Sequence, residues 1–104
     1  MPGLQGMHFV AGSAESGGGE VFHGVDPIAG KDLEPGYAEA TPEQVARACD
    51  AAAAAAPAFA ATAPAKRAAL LRAIADGLDG LGGDLVERMQ AETALPAGRV
   101  AGER

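Results

Sequence analysis

Tryptophan is absent from this chain, cysteine occurs once, and the aromatic residues are three Phe and one Tyr. The large rings that dominate most small cores are therefore nearly missing. A single Cys49 excludes an internal disulfide and fits a reducing compartment. Basic residues are scarce as well. Eight Lys and Arg against fourteen Asp and Glu give a net charge of −6 and a pI near 4.7, which excludes the clustered positive surface that tracks nucleic-acid phosphates. No apolar run approaches the roughly 20 residues of a membrane span. The opening "MPGLQGMHFVAG" has neither the basic start nor the apolar centre of a signal peptide. Together these absences point to the cytoplasm, with no nucleic-acid or membrane partner.

What the chain has in abundance is alanine and glycine, 26 and 15 residues of 104, while Leu, Ile, Val and Phe together number 19. That share lies below the one-fifth at which an independent core becomes doubtful. The 48% hydrophobic content overstates the driving force, because a buried methyl contributes on the order of 1 kcal/mol or less. A free-standing, tightly packed monomer is not expected.

Residues 4–10, "LQGMHFV", and 20–25, "EVFHGV", read as two short extended segments. The stretch "AGSAESGGG" between them has the composition of a flexible connector, and the whole reads as one loose hairpin. Gly17 to Gly19 do not make a phosphate loop, which needs a helix N-terminus behind it. "DPIAGKDLEPGY" supplies successive turns through Pro27, Gly30 and Gly36. A first helix is expected over 41–61. Thr41 is its N-cap, Pro42 suits its first position and Gln44 completes a capping box. Its apolar face runs Val45, Cys49, Ala52, Ala56 and Phe59, and Pro57 should kink or end it. A second helix over 64–80 carries Leu70, Leu71, Ile74, Leu78 and Leu81 on one stripe. Gly80, Gly82 and Gly83 then argue for a break, since each mid-helix glycine costs about 1 kcal/mol. A third helix over 84–94, with Leu85, Val86 and Met89 inward, stops before Pro96. "AGRVAGER" shows no periodicity.

No constellation of catalytic residues stands out. Cys49 lies on an apolar helix face with no His within one helical turn, so a buried structural thiol is expected rather than a nucleophile. His8 and His23 could face each other across the hairpin, yet a metal site needs further ligands. Glu87 and Glu92 are too far apart on a helix to act as a catalytic pair and read as a solvated face. Glu92 and Thr93, at a helix end, are the polar pair worth following, with a structural cap as the ordinary role.

Taken in order, "GVDPIAGKDL", "ATPEQVARACDAAAAAAPAFAATAPAKRAALLRAIADGL" and "AETALPAGRV" resemble the N-terminal region of the aldehyde dehydrogenase superfamily, over about residues 21 to 104. The tail "ALPAGRVAGER" is most similar to the branch acting on 2-oxoglutarate semialdehyde, the 2,5-dioxopentanoate dehydrogenases. Phe59 stands where the family usually has Trp, Lys66 where it has Glu, and Ala94 where it has Gly.

The resemblance implies an α/β, Rossmann-type parent, of which this segment, residues 1–104, is a short β-hairpin with turns (1–37) followed by two or three α-helices. It implies an NAD(P)-dependent enzyme that oxidises a small semialdehyde to its carboxylate. In the family the nucleophilic cysteine, the water-activating glutamate and the nucleotide-binding glycines all lie downstream, so these residues alone carry no catalytic or cofactor-binding group. The implied partners are the rest of the same chain, sister subunits and a small aldehyde. By position, the resemblance also implies a monovalent cation held by the Val25 backbone carbonyl and the Glu92 carboxylate. The alternative, from another class, is a free-standing short helical interaction or structural protein without catalytic activity.

Overall fold

In the computed structural model, residues 3–103 are described. The elements in chain order are β1 (His8–Val10), β2 (Ser13–Glu15), β3 (Val21–Asp26), β4 (Lys31–Ala38), α1 (Pro42–Ala60), α2 (Pro64–Thr93) and α3 (Ala97–Glu103). Two separate two-stranded sheets form, β1 with β2 and β3 with β4. This corrects the single hairpin expected from the sequence, which would pair residues 4–10 with 20–25.

The physical reason lies in the turns. Val10 pairs with Ser13 in the antiparallel β1–β2 ladder, and Ala11 and Gly12 between them have φ of 51° and 82°. Two consecutive positive φ values give the tight turn whose twist matches its flanking strands. One third of the supposed connector is thus strand, and β1 is already satisfied before β3 begins. β3 returns through Asp26, whose Oδ1 accepts from the amides of Ile28 and Ala29 at 2.8 and 3.1 Å, while Gly30 N–H donates to Asp26 O at 2.8 Å. A connection this short can only join antiparallel strands. Phe22 and Tyr37 stack across the β3–β4 ladder with ring centroids 5.9 Å apart.

α1 opens on a reciprocal cap. Gln44 N–H donates to Thr41 Oγ1 at 3.2 Å, and Thr41 N–H donates to Gln44 Oε1 at 2.9 Å. Pro57 is accommodated inside the helix and one further turn follows it to Ala60, so the proline sits in the last turn rather than terminating the element. α2 spans 30 residues, with a break at Gly82, where φ is 57° and ψ −134°. One glycine absorbs the bend, and helix resumes at once on its far side. The final stretch, which shows no periodicity in the sequence, forms α3, with Arg99 and Val100 amides both donating to Pro96 O at 3.0 and 3.1 Å. Val100, 1% exposed, is the buried hydrophobic residue among those described.

α2 ends in a left-handed residue, Ala94, at φ 58°, with its amide donating to Gln90 O at 2.8 Å. Thr93 Oγ1 donates to Met89 O at 2.6 Å and accepts from Leu95 N–H at 3.2 Å. An alanine pays a steric penalty in this conformation that glycine avoids. Ala94→Gly is therefore expected to stabilise the natural protein by about 1 kcal/mol, checked as a rise in melting temperature; an unchanged or lower value would show that the αL penalty is relieved elsewhere.

The chain divides into two compact units, one containing residues 24–34 and 64–103, the other residues 4–23 and 35–63.

Candidate functional site

In the first unit the polar focus lies where the turn end of β3–β4 meets the last turns of α2. The side chains that reach it, Arg88 and Glu92, are four residues apart on the helix and so share a face. Arg88 Nε donates to Glu92 Oε1 at 2.7 Å, and Arg88 Nη1 donates to Glu34 O at 2.5 Å. Arg88 Nη2 is buried without a hydrogen-bond partner. It lies under Gly24, where an added Cβ would stand 3.2 Å from Glu92 Oε1 and 3.3 Å from Arg88 Nη2. The arginine side chain is 19% exposed and the glutamate 43%. The glycine thus lets the backbone of β3 come down directly onto the ion pair.

This arrangement places the residues singled out in the sequence. Glu92 is exposed, as expected of a solvated face, and is also engaged by a guanidinium. Val25, about half exposed, follows Gly24 directly, so the structure brings Glu92 to the residue preceding it. Among the described residues no group of three His, Cys, Asp or Glu is placed to hold a metal ion. A cation bound to Glu92 would share the carboxylate with the guanidinium, whose repulsion at about 4 Å, about 4 kcal/mol at an effective dielectric of about 20, offsets the attraction the carboxylate supplies. Sequence reasoning misses Arg88, although its i, i+4 spacing from Glu92 is a visible signal.

In the second unit, a groove of about 290 Å³ is lined by residues that include His8, Phe9, Glu15, Val45 and Cys49. Cys49 is exposed, which corrects the expected buried thiol. The apolar stripe of α1 that carries it is left open instead of being covered. His8 Nε2 is bonded to Ala38 O at 2.8 Å, and since a carbonyl only accepts, Nε2 carries the proton. The His23 ring lies against Gly36, where a Cβ would stand 3.0 Å from its Nε2.

At the groove's edge Glu15 takes a bidentate pair from Arg47, at 2.9 and 2.7 Å. That hydrogen bond holds the Glu15 carboxyl below the usual carboxylate range and raises the Arg47 guanidinium. Gln44 extends the same network, since its Nε2 donates to Ser16 O at 2.9 Å and its Oε1 accepts from Gly18 N–H at 3.0 Å. The middle amide of the glycine run is therefore committed to a side chain of α1, and the run is an ordered packing element rather than a connector or an anion cradle.

The aldehyde dehydrogenase family model matches residues 14–103. An alpha-ketoglutaric semialdehyde dehydrogenase 2 from Azospirillum brasilense is 39% identical over 102 residues, covering 97% of this chain and 19% of that relative. No solved structure matches the chain. The chain belongs to the aldehyde dehydrogenase family, and spans about one fifth of that relative's length.

Proposed function

We propose that these residues are the N-terminal part of an NAD(P)⁺-dependent aldehyde dehydrogenase that oxidises a small semialdehyde, 2-oxoglutarate semialdehyde or a close analogue, to its carboxylate. The observation that carries the reading is 39% identity across nearly the whole chain to a relative whose name specifies that substrate, within a family match over residues 14–103. The nicotinamide cofactor supplies the hydride acceptor in such an enzyme. In this reading the cofactor is held by other parts of the enzyme, and the Gly18 amide serves packing by donating to Gln44. The segment's own role is architectural. It lays down two hairpins and a helical layer on which the remaining chain and sister subunits pack. We assign it to the cytoplasm; among the described residues no helix is long and apolar enough to cross a membrane.

The test is turnover by the natural protein with 2-oxoglutarate semialdehyde and with a simple alkanal, each with NAD⁺ and NADP⁺, followed by the absorbance of reduced nicotinamide. Faster reduction with the semialdehyde supports the assignment. Faster turnover of the alkanal would refute the substrate class, and no reduction with either would refute the activity.

A further inference from the structure

The carboxylate of Glu92 already has a cation. Arg88 reaches it through Nε at 2.7 Å, is tied to β4 through Glu34 O at 2.5 Å, and has Nη2 shut in beneath Gly24. The guanidinium is thus held by two hydrogen bonds, with its remaining nitrogen packed beneath Gly24, and Glu92 Oε1 is taken up by it. An alkali ion on Glu92 and the Val25 carbonyl would have to share that carboxylate with a fixed like charge, and a planar guanidinium does not deprotonate to make room. The residues present do not fit a monovalent cation.

We propose that the Arg88 guanidinium supplies the positive charge at this joint in place of an alkali ion, so that the docking of the β3–β4 turn on α2 is indifferent to which alkali metal the medium contains. Arg88 is then a positioning residue: it orients Glu92 and pins the hairpin turn without touching any reacting group. The inference does not rest on the enzymatic reading, because its test measures ion binding and stability rather than turnover.

Melting temperatures of the natural protein are compared in LiCl, NaCl, KCl and choline chloride at equal ionic strength, alongside line broadening of sodium NMR. The unaltered protein is expected to melt at one temperature in all four salts and to show no saturable broadening. Arg88→Met should melt lower in choline chloride, on the order of a few degrees, and recover part of the loss in NaCl or KCl; Arg88→Lys should keep the wild-type indifference. A saturable, alkali-specific rise in the melting temperature of the unaltered protein, abolished by Glu92→Gln, overturns the proposal. An Arg88→Met protein that no alkali ion rescues overturns it as well. Should Arg88→Met fail to fold, the sodium titrations of the unaltered and Arg88→Lys proteins decide the matter by themselves.

Discussion

Expressed alone, residues 1–104 are expected to show a helical far-ultraviolet signal, strong binding of an apolar dye and no cooperative melt. Folding costs at least ~1 kcal/mol of conformational entropy per ordered residue, which for this length is on the order of 100 kcal/mol. Burial must offset it, and Val100 is the one buried hydrophobic residue among those described. Phe9 and Ile28 remain 84% and 82% exposed, and Leu70, Leu71, Ile74 and Leu78 on α2 are about half exposed or more. Helices of this kind draw most of their stability from packing of an apolar face, and here the face is open. Urea titration followed by circular dichroism and by dye fluorescence gives the answer. Broad, non-coincident curves are expected; a single sharp transition seen identically by both probes would show that the segment folds by itself.

A second large effect is expected at Gly17. A Cβ there would overlap the backbone carbonyl oxygens of Ala38 and Glu39, and one at Gly19 would stand 2.9 Å from Glu39 O. Those carbonyls cannot simply withdraw, because Gly19 N–H donates to Glu39 O and Glu39 N–H to Glu20 O, both at 2.8 Å. Gly17→Ala should therefore destabilise the natural protein by roughly 1–3 kcal/mol, the range for forced overpacking. Gly77→Ala is the opposite case. It lies within α2 with nothing near its would-be Cβ, and should stabilise by about 1 kcal/mol through helix propensity. Opposite shifts in melting temperature for the two substitutions are the expected result. Equal shifts would mean that glycine content, not the close approach, decides both.

The parts of this molecule that can be read from its sequence are those decided within a few residues. The cap at Thr41 and Gln44 is a four-residue device, and its reciprocal bonds are on display in the letters themselves. The stripe of Leu70, Ile74 and Leu78 likewise marks a helix wherever it ends up. The β1–β2 hairpin is hidden because its turn sets Ala11 at positive φ, a position where Asn, Asp or Gly would have signalled it. Cys49 is misplaced for a different reason. An apolar stripe says which side of a helix wants cover, not whether cover is at hand. At the candidate site the spacing of Arg88 and Glu92 is visible, but the third member, the carbonyl of Glu34, is 54 residues from Arg88 in sequence and leaves no trace in composition or period. The family resemblance is legible at a different level again, through the order of weak pieces, and the family match over residues 14–103 agrees with it.

Gly82 has a bearing on that joint although it touches nothing in it. Thirty residues of uninterrupted helix would form a rod about 45 Å long, and the azimuth of every side chain along it would be fixed by its first turn. The backbone at Gly82 instead takes a φ and ψ that residues with a Cβ rarely adopt, so the second half of the helix starts with a fresh heading. The bearing of Arg88 and Glu92 toward the β3–β4 turn is therefore set by a residue with no side chain. At such a position variation acts like turning a compass rather than removing a bolt: the ion pair would survive intact and point the wrong way.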